Sequence, residues 1–329
     1  MGLMGRMRVR ALACFGHGFT TDPMDWLTEP FHHEFMRRVF VGGALIGFTN
    51  GFLGAFVVLR RMALMADSLS HSLLPGLAIG WILAGGLVPS ALFGGALFAA
   101  LTVALGAQLL ARSSRLKEDT ALGILYTVAF SVGIVLIGLF KVRVSLMHWL
   151  FGNILGLSNT DLWMIWGISL VVVPLLAALQ RPLLLTLFDP TVAASQGIRV
   201  NLLNFVLMIA LVLTMIASLQ AIGVIMLLGL LIAPAATVYL LCDSYPAMLW
   251  GGGLIGMFGS CTGLLVSYRL NLPSGACIVL VLGAIFFAAY LFSPRYGLFR
   301  KLRRARHFHE ESLARWPGKA PSEGGDETP

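Results

Sequence analysis

Charged side chains are scarce in this sequence, and their scarcity limits what the protein can be. Of its 329 residues, 12% are Asp, Glu, Lys or Arg, 58% are hydrophobic, and the mean hydropathy is +0.87. Soluble globular domains carry about 25% charged residues, roughly twice this share. The composition therefore excludes an ordinary soluble protein and predicts an all-α, polytopic integral membrane protein.

Motifs for nucleotide binding, zinc proteolysis and cysteine chemistry are also missing. The sequence has no GxxxxGK[ST] phosphate loop, because its only Gly-Lys pair is Gly318–Lys319 near the C-terminus. It has no HExxH motif either, so we expect a protein that is not itself an enzyme. The cysteines form no CxxC pair, and we interpret them as small packing residues without a disulfide framework. They are Cys14, Cys242, Cys261 and Cys277.

Long apolar runs, in contrast, are abundant. From Val39 onward they follow one another, each about 20 residues long and able to cross a hydrocarbon core of about 30 Å. We predict nine spans, near residues 39–59, 62–86, 89–111, 120–140, 160–180, 200–219, 222–241, 247–268 and 275–292. Eight is the alternative, because the break at Gln220–Gly223 is short and the first span also fits a re-entrant segment.

The residues outside the spans divide the chain into three parts. Residues 1–38 read as a leader with an interfacial segment, 39–293 as the transmembrane domain, and 294–329 as a basic cytoplasmic tail. The last residues of the tail are a Gly, Pro and acidic mixture that is typical of disorder. A second segment, 141–160, has polar ends and central aromatic residues, so we predict an interfacial helix there.

The distribution of basic residues predicts how the chain is oriented. Lys and Arg collect in the tail and in loops on one side of the spans, at Arg60–Arg61, 112–117 and 181–199. The positive-inside rule makes that side cytoplasmic, with the C-terminus inside and the N-terminus outside. The net charge of +8 is thus explained by topology and anionic lipid head groups, and we expect no nucleic-acid partner.

Small residues recur at helical spacing in two spans. Such faces let helix backbones approach closely in lipid, where the hydrophobic effect does not drive helices together. We therefore predict close packing of the first and eighth spans with neighbouring helices. The residues are Gly43, Gly47 and Gly51 in the first span and Gly252, Gly256 and Ser260 in the eighth.

Apart from Asp161 at the edge of the fifth span, one acid and one histidine lie within the predicted spans, namely Asp67 and His71 of the second span. Residues four apart share one face of a helix, so we expect the two side chains to lie one above the other. A carboxylate and an imidazole are two ligands for a divalent metal ion. Ser70 is predicted on the same face, and Pro75 lacks the N–H that would bond to the His71 carbonyl, which adds a backbone oxygen.

A structural interpretation of the same pair is the alternative. Asp67 also fits a helix N-cap near the membrane interface, because Arg60 and Arg61 are two turns away, and His71 also fits a core histidine. Ionisable residues within a span cost about 2.5 to 3.5 kcal/mol each and are usually functional. We therefore favour the metal-binding interpretation.

A short helix is predicted inside the segment 181–199. Asp189 fits its N-cap, Pro190 its first position and Gly197 the residue after its end. A helix of about two turns is marginal alone and needs a partner or a surface to stay folded. Its small, uncharged residues Ala193 and Ala194 favour insertion into a protein cleft, and a plain connecting helix is the alternative.

Four stretches of the sequence resemble a known family. They are GFLGAFVVLRRMALMADSLSHSLLPGLAIG, EDTALGILYT, SLQAIGVIMLLGLLIAPAAT and NLPSGACIVLVLG. They look like the permease subunit of bacterial zinc/manganese ABC importers, and the resemblance runs from about Glu29 to Arg295. It implies a homodimeric permease in the bacterial inner membrane. It also implies two cytoplasmic ATP-binding subunits and an extracytoplasmic solute-binding protein that delivers the metal.

The resemblance also implies roles for particular residues. Asp67 and His71 would line the metal pathway, and the helix from Asp189 to Gly197 would couple to the ATPase. The leading hypothesis is thus an importer permease for Mn²⁺, Zn²⁺ or Fe²⁺ as substrate, with no permanent cofactor. A stand-alone, ion-coupled metal carrier is the rival hypothesis, and a membrane scaffold or signalling subunit is a third.

Overall fold

A computed structural model describes residues 34–86, 88–140 and 154–293 of the chain. The regular structure in these ranges consists of eleven α-helices and one short 3₁₀ helix at Ile154–Gly156. The α-helices are α1 (Glu34–Leu59), α2 (Ala63–Ala84), α3 (Pro89–Ser113), α4 (Glu118–Leu139), α5 (Asn159–Ala178), α6 (Gln180–Phe188), α7 (Pro190–Ser195), α8 (Val200–Ile222), α9 (Val224–Leu241), α10 (Tyr245–Leu270) and α11 (Ser274–Phe292).

Each of the nine predicted spans coincides with one helix, and the all-α membrane fold is confirmed. Seven described helices are long and apolar enough to cross a membrane, namely α1, α3, α4, α5, α8, α10 and α11. In α2 the polar residues of ADSLSHS lower the hydropathy, and in α9 the apolar stretch Met226–Leu241 is shorter. The break between α8 and α9 is real but consists of Gly223 alone, which has φ 80°.

Helix α1 extends beyond the predicted first span at its N-terminal end. It begins at Glu34, whereas the span is predicted to begin at Val39. The Arg38 guanidinium donates to the Glu34 carboxylate one turn earlier, which lets the helix extend into polar surroundings. The predicted leader up to residue 33, most of the interfacial segment 141–160 and the tail 294–329 lie outside the described residues.

The helices pack as two groups. One group contains α1, α9, α10 and α11, and the other contains α2, α3 and α4. Helices α5 and α8 lie between them, with α5 against α1 and α8 against α3. The candidate metal pair therefore belongs to the three-helix group, which touches α1 and α9 over a small area only.

A close helix contact joins α1 to α10, and it depends on the predicted glycines. A Cβ atom at Gly51 would overlap the Gly252 carbonyl oxygen, and one at Gly47 would overlap the Gly256 carbonyl oxygen. The partners run in opposite order along the two helices, so α1 and α10 are antiparallel. The prediction of close packing through these small residues is confirmed.

The loops with basic residues lie together at one end of the molecule. At this end the Phe56 ring packs edge-on against Tyr245 with centroids 5.8 Å apart, and the Ser293 hydroxyl donates to the Leu240 carbonyl at 2.7 Å. The ends of α1, α9 and α11 are thus on the same side as the start of α10. Helices α6 and α7 lie there too, and we call this the α7 end.

The α1–α10 contact can be tested with an added methyl group. Gly51→Ala should destabilise the protein by about 1–3 kcal/mol, because backbone atoms cannot move aside as a flexible side chain would. Gly138→Ala in α4 is the matched control, since nothing lies within 4 Å of a Cβ atom there. Thermal unfolding in detergent should separate the two variants, and equal stability would contradict the close contact.

Candidate metal-binding site

The predicted metal ligands lie on α2, close to the tight turn where that helix begins. Residues Arg60–Met62 reverse the chain between α1 and α2, and Arg61 takes a positive φ of 57° to do so. The helix then starts at Ala63 and continues through Pro75 to Ala84. Asp67 and His71 follow in its second and third turns, close to the α7 end.

The structure places Asp67 and His71 side by side. His71 Nε2 is 3.7 Å from Asp67 Oδ1, and the side chains are 36% and 44% exposed, respectively. This separation is too long for a hydrogen bond between the two groups. It leaves room for one metal ion bound at about 2.1 Å from each atom.

Ser70 does not join this pair, contrary to the sequence prediction. Its side chain is 1% exposed, and its hydroxyl donates to the Ala66 carbonyl at 2.8 Å. Successive helix residues are about 100° apart, so Ser70 turns into the bundle while His71 turns outward. Among the residues that the structure describes, no group of three or more His, Cys, Asp or Glu forms a metal cluster.

Two aromatic residues of α4 contact the His71 ring, and the sequence analysis did not identify them. The Tyr126 ring lies 6.3 Å from the imidazole, centroid to centroid, at an interplanar angle of 28°. The Phe130 ring lies 5.7 Å away at 81°. Their spacing of four residues was the available signal, but it indicates only a shared helix face and not which partner that face meets.

The predicted short helix is α7, and its capping is as predicted. The Asp189 carboxylate accepts hydrogen bonds from the amides of Thr191 and Val192, both at 3.0 Å, and from the Thr191 hydroxyl. The Thr191 hydroxyl, followed by the Val192 amide, holds the pKa of the Asp189 carboxyl below its usual value. Pro190 is the first helical residue, and Gly197 has φ 79° just beyond the end.

The two alanines of α7 differ in their surroundings. Ala193 is 0% exposed and packs inside this chain, whereas Ala194 and Val192 are exposed. The prediction that Ala193 and Ala194 both face a partner is therefore wrong for Ala193, which is buried within this chain. Adjacent residues on a helix point about 100° apart, so a short helix lying on the bundle buries one and exposes the other.

A cavity of about 460 Å³ opens between α7 and the start of α2. Arg60 and Arg61 line it from the α1–α2 turn, and Thr186 and Pro190 line it from α6 and α7. Arg60 Nη2 donates to Thr186 Oγ1 across 3.4 Å. The segment that carries α7 is thus in contact with the turn from which α2 starts.

These features define a polytopic α-helical membrane protein with an ionisable pair on α2. The chain belongs to the ABC 3 transport family, whose model matches residues 32–293. The match includes every described helix from end to end. The resemblance inferred from four stretches of sequence is therefore confirmed.

Individual relatives cover most of the chain. The manganese transport system membrane protein MntC of Halalkalibacterium halodurans is 38% identical over 85% of this chain and 94% of its own length. A probable iron transport system membrane protein of Haemophilus influenzae is 35% identical over 82% of this chain and 97% of its own. The solved structure of PsaBC from Streptococcus pneumoniae in complex with Fab matches 83% of this chain and 97% of its own, at 32% identity and a TM-score of 0.74.

The N-cap of α7 can be tested by removing its carboxylate. Asp189→Ala should speed hydrogen exchange several-fold at the Thr191 and Val192 amides, which lose their acceptor. Asp189→Asn keeps an acceptor oxygen and should change exchange little, and the amides of α6 serve as an internal control. Because the folded pKa is lowered, the charged cap should persist at neutral pH and be lost only as the pH falls through values below the ordinary 3.8. Unchanged exchange in Asp189→Ala would contradict the cap.

Proposed function

We propose that this chain is the permease subunit of an ATP-driven importer and that its substrate is a divalent transition metal ion. Membership of the ABC 3 transport family and relatives named for manganese and iron transport support the proposal. The ligand pair fits Mn²⁺, Zn²⁺ and Fe²⁺, because mixed oxygen and nitrogen donors suit all three. The selection among them rests on geometry and on the protein that delivers the ion.

One observation carries the metal-site assignment. Asp67 and His71 are ionisable side chains on a helix that coincides with a predicted span, and yet both are partly exposed on the surface of the single chain. Facing lipid is costly for a carboxylate, up to about 2.5–3.5 kcal/mol at the middle of a span. In the membrane this face must therefore be covered by protein or by a water-filled passage. A translocation pathway for cations provides both.

We infer that a second copy of the chain covers this face. Each copy contributes one carboxylate and one imidazole, so a pair of copies surrounds one ion with four protein ligands. Four ligands complete a tetrahedral shell. Four is the usual coordination number of zinc, and for manganese or iron four ligands form part of a larger shell. The ion is then held away from lipid by protein on both sides.

We place the α7 end in the cytoplasm of a bacterial cell, with the C-terminus on that side of the inner membrane. The basic loops at this end support the orientation. Cytoplasmic ATP-binding subunits dock on the exposed residues of α7, Val192 and Ala194, and an extracytoplasmic solute-binding protein delivers the metal to the opposite face. Contact between Arg60 and Thr186 connects the docking segment to the start of α2.

The metal site is tested by removing its ligands. His71→Ala should abolish metal uptake and leave assembly with the ATP-binding subunits intact, because it removes a ligand from a partly exposed position and not from the core. Asp67→Asn should act in the same way.

The measurements are uptake of radioactive manganese, zinc and iron by cells, and co-purification of the ATP-binding subunits. Equilibrium binding to the purified transporter should give one ion for every two copies of the chain. Normal uptake by His71→Ala would contradict the site. Uptake by this chain alone in liposomes, driven by a membrane potential without ATP, would contradict the importer and support a stand-alone carrier.

The docking surface is tested by adding a large charged side chain at its centre. Ala194→Arg should abolish co-purification of the ATP-binding subunits, because a close-packed contact cannot accept the extra volume. Thr160→Arg is the matched control, since it adds the same side chain at an exposed position at the start of α5, at the other end of the span. If Ala194→Arg retained both co-purification and transport, α7 would be a plain connecting helix.

A further inference from the structure

We propose that Tyr126 and Phe130 are positioning residues that hold the His71 imidazole in its metal-binding orientation. The inference rests on the proposed metal site and adds a second helix to it. Both residues belong to α4, fifty or more positions away in the sequence. Neither is a ligand in this proposal; they act through the ring of His71.

The contact geometry restrains the imidazole on two sides. Tyr126 lies nearly parallel to it, at 28°, and Phe130 meets it nearly edge-on, at 81°. The terminal torsion of a histidine is broad when nothing packs against the ring. One ring nearly parallel to the imidazole and one nearly edge-on to it remove most of that freedom, so Nε2 stays directed toward Asp67.

The hydrogen bonds of the described residues do not include one made by the His71 ring. A metal-binding histidine is usually oriented by a hydrogen bond from its other ring nitrogen to a carboxylate or carbonyl. Aromatic packing takes over that orienting role here. It also surrounds part of the ring with apolar groups, which suits a site within a membrane.

Helix α4 is held firmly enough against α2 to act as such a support. One turn beyond His71, Pro75 meets Gly133 of α4, where an added Cβ atom would lie 2.9 Å from the Pro75 nitrogen and 3.0 Å from its Cα. The small residue at 133 lets the backbones approach closely. Tyr126 also packs against the main hydrophobic core, so its ring is fixed from behind.

The test compares ring removal with ring retention. Tyr126→Ala and Phe130→Ala should each raise the metal concentration for half-maximal uptake by about tenfold, as loss of an orienting partner does at other metal sites. Tyr126→Phe keeps the ring and should behave like the unaltered protein. Leu139→Ala, at a strongly exposed position in the last turn of α4, is the matched control for trimming a side chain of this helix.

Assembly with the ATP-binding subunits and maximal uptake at saturating metal should change little in all four variants. If an alanine variant fails to fold in detergent, Tyr126→Leu and Phe130→Leu replace it. Leucine fills more of the space left by the ring, and the same rise in the metal concentration for half-maximal uptake is expected. An unchanged half-maximal concentration in the ring-deleted variants, together with inactive His71→Ala, would overturn the positioning role alone. Normal uptake by His71→Ala would instead overturn the metal site on which it rests.

Discussion

The free-energy cost of placing a carboxylate in hydrocarbon constrains the fold, the assembly and the substrate of this protein. A charged group in hydrocarbon has no water to solvate it, and the chain has exposed Asp67 beside His71 on a helix whose other residues carry no charge. Within one chain this arrangement is unfavourable. It becomes favourable only when a cation and a protein partner complete the surroundings, which links substrate, assembly and fold to the same two side chains.

The spanning helices could be predicted from hydropathy, because a segment crosses a bilayer only if it is long enough and apolar enough. Nine predicted spans meet nine helices for that reason. Helix α1 begins before the predicted span because hydropathy reports where the apolar region begins and not where a helix begins. Glu34 and Arg38 are polar, and yet their pairing one turn apart favours helix outside the apolar region.

The site shows where sequence spacing stops being informative. Asp67 and His71 could be paired from their spacing alone, because contacts within one helix are local. Ser70 was assigned to the wrong side, since a neighbour of His71 on the helix is rotated by about 100° and here faces the bundle. The same rotation separates Ala193 from Ala194. The contact between Tyr126 and His71 could not be predicted from the sequence, because it depends on how α4 packs on α2 and no local pattern specifies that packing.

The glycine contact between α1 and α10 sets the axial register of these helices as well as their distance. Each carbonyl of one helix occupies the space that a side chain would fill on the other, at Gly47 and at Gly51. Sliding α1 by one residue would bring Phe48 or Phe52 to those positions, and neither ring fits against a backbone. A contact through leucines can adjust by changing rotamers, whereas the backbone carbonyls that face Gly47 and Gly51 cannot. Helices α1 and α10 therefore move as one rigid unit, and any rearrangement of the bundle has to take place at interfaces between other helices.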